Sequence, residues 1–307
     1  MYKVVFFGTQ EFAKEILEKL ISDKNFSIEL VITPPDKPIG RKKEIFFSPV
    51  KNLALKEKIK VEQPENLKNT ALNLNFFDVG VVAQYGFLIP KKILEMPKFG
   101  MINVHTSLLP LYRGPSPLQS AILNNEKNTG VTIMKMDEGM DTGPILSQKK
   151  ISINPDDIYP VLEKKLAQKG SDLLIQTLKD YLQGRVEPQN QIGSQATYTK
   201  ILQKNDGKID PQNSCQKIYD KWRAFFSWPG IFLEVNPLKI KLVKVECIEE
   251  SLTHLSPGYL VEFKKNRLGL ICGDKKILEI LEIQPENKKI MSASSFISGY
   301  KKLLNTL

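Results

Sequence analysis

The residues best suited to chemistry sit in one run, GMINVHTSLLPLYRGPSP, from Gly100 to Pro117. Ile102 to Val104 reads as a short apolar strand. Side chains at i and i+2 of a strand share a face, so the amide of Asn103 and the imidazole of His105 emerge side by side where it ends. A fixed donor beside a titratable one is a cradle for a developing oxyanion. The turn that follows, Ser107-Leu108-Leu109-Pro110, is apolar and is stiffened by Pro110, Gly114, Pro115 and Pro117. Such a turn can present main-chain N–H and C=O groups to a flat heterocycle without lending it a charge. Asp141 stands in DEGMDTG, directly after the apolar strand Val131 to Met136 and between Gly139 and Gly143. A carboxylate at the end of a nearby strand can orient an imidazole and favour its protonated form. The other histidine, His254 in THLSPG, reads as a surface turn residue.

A chain of 307 residues has room for two domains, since single cores stop growing at about 250 to 300 residues. Lys3 to Phe7 is a buried strand, Thr9 can cap a helix over Gln10 to Leu20, and Ser27 to Ile32 is a second strand, so the chain opens as a parallel βαβ unit. GTQEFA carries one glycine where a dinucleotide fingerprint needs three, which argues against NAD. Between this unit and the next strand, Phe76 to Ala83, lies a proline-stiffened loop, TPPDKPIGRKK, tipped with Arg41, Lys42 and Lys43, and a helix resumes after Ser48-Pro49. Adjacent cations on a stiff loop suit a phosphate backbone. The segment Tyr85 to Pro90 follows at the carboxyl edge of the sheet, where open α/β folds bind ligands.

A helix over Pro117 to Leu123, a strand over Ile145 to Ile153 and a long helix over Asp156 to Leu182 complete the first part. The polar stretch after it lacks periodicity and reads as a linker, giving domains at residues 1–187 and 208–307 joined by residues 188–207. Beyond the linker, a helix over Ser214 to Phe225 leads into short alternating strands between turn signals, as in a small β-barrel.

The formal charge of +10 is concentrated late, where residues 208–307 hold sixteen Lys and Arg against eleven Asp and Glu. No run of about 18 apolar residues occurs, and the start MYKVVFFGTQEF lacks the basic region and cleavage site of a signal peptide, so a cytoplasmic protein is expected. Cys215, Cys247 and Cys272 form no CxxC pair; they read as free thiols or small buried apolar residues, and no metal site is expected.

The blocks GTQEFA, PDKPIGRKK, SPVK, QPENL, VVAQYGFLIP, INVHTSLLPLYRG, DEGMDTGPIL and RAFFSWPGIF, in this order from Gly8 to Phe232, resemble the methionyl-tRNA formyltransferase family. The resemblance implies an α/β fold with a Rossmann-like, mostly parallel sheet of the formyltransferase type, followed by a small C-terminal β-barrel of oligonucleotide-binding type. It implies formyl transfer from 10-formyltetrahydrofolate, a co-substrate, to the α-amine of methionyl-initiator tRNA by a cytoplasmic monomer without metal or membrane. Asn103, His105 and Asp141 match the family's catalytic trio, and Ser107, Leu108, Leu109 and Pro110 its folate-binding turn. Tyr85, Gly86, Phe87 and Leu88 fit the wall of the same pocket, and Lys37, Arg41, Lys42 and Lys43 map onto the insertion that reaches the tRNA acceptor stem. The barrel would hold the inside of the tRNA's bend. The chain departs from the pattern at Gln10, Pro34, Leu111, Lys42 and Glu44, none of them in the trio. Other folate-dependent formyl transferases and hydrolases, acting on glycinamide ribonucleotide, an amino sugar nucleotide or water, share that trio; the PIGRKK insertion and RAFFSWPGIF favour tRNA. A non-catalytic RNA-binding protein would leave the trio and the SLLP turn idle.

Overall fold

The structure is a computed structural model that describes all residues except 40–43, 236–237 and 306–307. β1 (Tyr2–Gly8), α1 (Glu11–Ser22) and β2 (Phe26–Ile32) open the chain. β1 is covered on both faces, which is why its apolar residues run on rather than alternate. α1 buries Phe12, Ala13, Ile16, Leu17 and Leu20 on one face. Thr9 does not cap it. The N-cap is Gln10, which makes no side-chain bond there, and the Thr9 hydroxyl donates instead to the Tyr85 carbonyl at 3.1 Å.

The expected proline-stiffened loop is a hairpin of β3 (Lys37–Ile39) and β4 (Glu44–Phe46), antiparallel with Lys37 opposite Phe46. α2 (Pro49–Lys56) follows, its first turn satisfied by the Ser48 hydroxyl accepting from the Lys51 amide, and β5 (Lys60–Glu62) closes this excursion. The hairpin's root is a polar cluster. Lys51 Nζ donates to the Asp36 carboxylate and to Gln63 Oε1 at 2.6 Å, and Gln63 Nε2 donates to Asp36 Oδ1 at 3.0 Å and to the Pro34 carbonyl at 2.8 Å.

The next elements are β6 (Val79–Ala83), α3 (Lys91–Leu94), β7 (Met101–His105), α4 (Pro117–Leu123), β8 (Asn128–Lys135), β9 (Ile145–Ser152) and α5 (Tyr159–Tyr181). The seven-stranded sheet has the order β5-β2-β1-β6-β7-β8-β9. Its strands are parallel from β5 to β7, while β8 and β9 run antiparallel to their neighbours. β6 begins later than expected: Phe76 is 56% exposed, and the carboxylate of Asp78 accepts the Lys3 amide at 2.8 Å before the ladder starts. Gly170 of α5 lets that helix approach β8, since a Cβ there would stand 3.2 Å from Val131.

The chain divides into two compact units, residues 1–117, 127–152 and 162–200 in one, and 118–126, 153–161 and 201–307 in the other. Part of the expected linker is built into the first unit. Ile145 and Gln189 exchange both backbone hydrogen bonds at 2.8 Å, and Arg113 takes the Thr197 carbonyl at 2.8 Å and gives its own to the Thr199 amide at 2.7 Å.

In the second unit α6 (Cys215–Ala224) precedes β10 (Ile231–Val235), β11 (Leu238–Ser251), β12 (Leu260–Lys264), β13 (Arg267–Ile271), β14 (Lys276–Pro285), β15 (Met291–Ser292) and α7 (Ala293–Gly299). These strands form an antiparallel, barrel-like sheet in the order β10-β11-β14-β13-β12, with β15 beside β14. The expectation of three free cysteines is corrected here: Cys215 on α6 and Cys247 on β11 are joined as a disulfide, with Cα atoms 5.8 Å apart. Their separation of 32 residues carries no spacing signal, because only the packing of α6 on the sheet brings them together. Cys272 is free and buried, and burial pushes its thiol up to about 12. No helix among the described residues is long and apolar enough to cross a membrane.

Candidate active site

β7 sits between β6 and β8, so the residues it carries are fixed from both sides: Asn103 pairs with Val82 and Met134, and His105 with Thr132. Asn103 and His105 therefore share one face of this strand. The imidazole is buried and held by its edges. Nε2 lies 3.1 Å from the Tyr112 carbonyl, and Nδ1 lies 3.6 Å from Oδ1 of Asp141, whose side chain is 17% exposed. Both nitrogens thus face oxygen atoms, which fixes the orientation of the ring.

Asp141 reaches this position on a tight loop between β8 and β9. The loop is pinned by Asp137, which accepts from the Gly139 amide at 3.1 Å and the Thr142 hydroxyl at 2.6 Å. Asp141 adopts a left-handed backbone, φ +54°, and its second oxygen accepts the Gly114 amide at 2.7 Å. Gly143 has no room for a side chain, since a Cβ would run into the Lys135 carbonyl.

The Ser107-to-Pro110 turn lies directly after β7, and its polar main-chain groups are largely spoken for. Thr132 donates to the Ser107 carbonyl at 2.7 Å and accepts from the Leu109 amide at 3.1 Å, while Gln148 donates to the Leu109 carbonyl at 2.8 Å. Leu108 O accepts the Leu111 amide at 3.1 Å, and the Ser107 hydroxyl donates to Leu111 O at 2.6 Å. The turn is thus a wall held by β8 and β9, and Leu108 packs where Gly130 of β8 leaves no space for a Cβ.

Of the Tyr85-to-Leu88 stretch, Phe87 and Leu88 are exposed, Leu88 by 81%, and Gly86 turns the chain at φ +86°. Tyr85 lies deeper, its ring meeting that of Phe87 edge-on at 5.8 Å. It is buried in a cluster with Phe7, Leu72, Ile89 and Met101, its hydroxyl meets no hydrogen-bond partner among the described residues, and burial pushes that hydroxyl up to about 12. A cavity of about 530 Å³ is lined by Lys91, Leu94, Lys135, Met136 and residues 137–139, the segment that leads into Asp141. His105 and Asn103 do not line it. Lys37 is exposed on β3; Arg41, Lys42 and Lys43 lie outside the described residues.

Three contributors lie outside the residues that the sequence singles out. Gln191, from the expected linker, donates through Nε2 to the carbonyls of Asp141 at 2.8 Å and Gly143 at 2.7 Å, and its Oε1 accepts from the buried Arg113. Thr132 and Gln148 fix the turn. Only Thr132 left a trace, as a polar residue inside an apolar strand. Among the described residues no group of three or more His, Cys, Asp or Glu side chains could hold a metal ion.

Comparison with known proteins places this geometry in context. A family model for "Formyl transferase" matches residues 2–178, and one for "Formyl transferase, C-terminal domain" matches residues 201–301. The methionyl-tRNA formyltransferase of Thermodesulfovibrio yellowstonii is 44% identical over 306 residues, covering 97% of this chain and 96% of its own. That of Caldicellulosiruptor saccharolyticus is 41% identical over 308 residues, covering 97% of each. Among solved structures, an N-formyltransferase from Helicobacter canadensis in complex with folinic acid and dTDP-3-aminofucose superposes with a TM-score of 0.66 at 21% identity, over 91% of this chain and 99% of that one. HypX from Aquifex aeolicus in complex with tetrahydrofolic acid does so with a TM-score of 0.67 at 14% identity, over 100% of this chain and 49% of that one. At these identities the two structures share the fold.

Proposed function

The chain belongs to the methionyl-tRNA formyltransferases, and from that premise we propose that Asn103, His105 and Asp141 carry the reaction. The enzyme transfers a formyl group from 10-formyltetrahydrofolate to the α-amine of methionine carried on tRNA. What supports the assignment of residues is the approach of Asp141 Oδ1 to His105 Nδ1 at 3.6 Å, with Asn103 on the same face of β7.

The attacking amine must be neutral. Its lone pair forms a bond to the formyl carbon, the carbonyl electrons move onto oxygen, and the tetrahedral oxyanion then collapses as the bond to the folate nitrogen breaks, that nitrogen gaining a proton in exchange for the one the amine loses. Asn103 donates to the oxyanion. His105 joins it by sharing with the oxyanion the Nε2 proton now directed at the Tyr112 carbonyl, 3.1 Å away. Asp141 holds the imidazole and takes up the proton that the amine loses. The folate ring system lies against Phe87, Leu88 and the Leu108 wall, where apolar surface rather than charge receives it.

We assign catalysis to the first unit and the tRNA's inner bend to the second. Lys37, with Arg41, Lys42 and Lys43 beyond it in the chain, serves acceptor-stem phosphates. Selectivity for the initiator, a monomeric state and a cytoplasmic setting belong to the same reading. One assay tests it: purified protein, labelled formyl donor, and initiator Met-tRNA beside elongator Met-tRNA, free methionine and an amino sugar nucleotide. Label on initiator Met-tRNA alone is the expected result; label on the sugar or on free methionine overturns the assignment of substrate.

A further inference from the structure

We propose that Gln191 is a positioning residue for formyl transfer, a clamp on the loop that carries Asp141. The inference rests on the role given to Asp141 above. Both hydrogens of the Gln191 amide are used on that loop, one on the Asp141 carbonyl at 2.8 Å and one on the Gly143 carbonyl at 2.7 Å. Its oxygen is used as well, accepting Arg113 Nε at 3.1 Å and Nη2 at 2.8 Å. An amide satisfied at both ends has one orientation. Arg113 is itself immobilised: it is 4% exposed, its Nη1 donates to the Tyr198 hydroxyl at 3.3 Å, and its backbone is laced to Thr197 and Thr199.

The loop needs holding because Asp141 is not glycine and yet sits at φ +54°. Such a conformation persists only where the surroundings over-determine it. The Gly114 amide restrains the carboxylate, but the two Gln191 bonds are made to carbonyls on either side of residue 142 and so fix the bend of the chain itself. That bend decides whether Oδ1 meets the imidazole. Displacement of a reacting group by about 1 Å can cost a hundredfold in rate with little change in binding.

Gln191→Met keeps the volume and removes both ends of the clamp; Gln191→Glu keeps an acceptor for Arg113 and removes only the two donors. In the full chain both variants are expected to lose about 10- to 100-fold in kcat, with KM for formyl donor and for Met-tRNA within about threefold of the parent. A residue that merely supported Arg113 would be rescued by glutamate. On an Asp141→Asn background, Gln191→Met is expected to cost less than about threefold more, since the clamp then has no carboxylate to aim. Thermal unfolding is followed in parallel, and if the Met variant fails to fold, the Glu variant carries the test. Rates within about twofold of the parent in either variant, full rescue by Glu, or losses that multiply on the Asn background overturn the clamp. Normal turnover in Asp141→Asn alone instead overturns the role of Asp141, and the clamp falls with it.

Discussion

Asp141 divides its carboxylate between His105 and the backbone: Oδ1 faces Nδ1 of the ring at 3.6 Å, and Oδ2 accepts the Gly114 amide at 2.7 Å. The ring is held on its far side by the Tyr112 carbonyl, so its plane is set before any substrate arrives. Removing a donor aimed at an oxyanion costs about 10²–10³ in rate. His105→Ala and Asn103→Ala are expected to lose at least that in single-turnover formylation while unfolding at the parent temperature. Turnover within tenfold of the parent in both would refute the assignment.

The cluster at the root of the β3–β4 hairpin ties the base of the basic insertion into the first unit. Burial opposes ionisation of Asp36, but the hydrogen bonds from Lys51 and Gln63 outweigh it and hold its carboxyl below the usual range. Lys37→Glu, and charge reversal at Arg41 to Lys43, are expected to weaken tRNA use and to flatten the plot of log kcat/KM against log salt by about 0.9 for each phosphate no longer neutralised. Folate affinity should stay put, and an equal fall in folate binding would count against the hairpin as a tRNA-binding element.

Gly130 faces Leu108 with no space between them. A Cβ at Gly130 would stand 2.4 Å from both a Leu108 methyl and the Lys149 carbonyl, so Gly130→Ala must displace the Leu108 side chain and strain the β8–β9 ladder, and overpacking of this kind costs about 1–3 kcal/mol. The expected result is a lower unfolding temperature together with a raised KM for the formyl donor. A destabilised protein with an unchanged donor KM would show that Leu108 is not part of the folate wall.

Asp23 tells how the first unit responds to acid. Burial works against its charge, but hydrogen bonds from Lys179 and Asn25 win, and its carboxyl is lowered from 3.8 to about 2. A depressed carboxylate contributes stability that is fully present above its unfolded value and is lost as pH falls through its folded one, here from about 4 down to about 2. Lys179 approaches Asp23 at 2.7 Å across partly exposed surface, so solvent screening limits the pair to about 1 kcal/mol. Urea unfolding of Lys179→Met should show that deficit at pH 6 and a shrinking one towards pH 2.5; a deficit independent of pH would assign it to poorer packing.

The cysteines give a count that mass spectrometry reads directly. Unfolded in alkylating reagent without reductant, the chain should take one adduct, at Cys272, and after reduction three. In the folded protein Cys272 should resist alkylation at pH 8, because burial keeps its thiol protonated. Three adducts without reductant would show Cys215 and Cys247 to be neighbouring thiols.

Where burial dictates residue type, the sequence was readable. β1 and β6 are covered on both faces and appear as unbroken apolar runs, and Ser48-Pro49 announced α2 through cap chemistry. Asn103 and His105 were legible as a pair because a strand's period of two places them on one face. What stayed hidden depends on partners distant in the chain. Thr9 has the right type for a cap but found the Tyr85 carbonyl, and Tyr85 turned inward although its neighbours Phe87 and Leu88 face out. Gln191 lies in a polar, aperiodic stretch, and nothing local distinguishes an amide bound to two carbonyls from one in water.

The pairing of Gln189 with Ile145 and of Arg113 with Thr197 and Thr199 moves the natural splice point of the chain. A chimaera grafted at residue 187, where composition invites the cut, would import a foreign strap and strip β9 of its outer partner. Joined after residue 200, it would exchange the barrel-like half and leave the Asp141 loop with its own fastening.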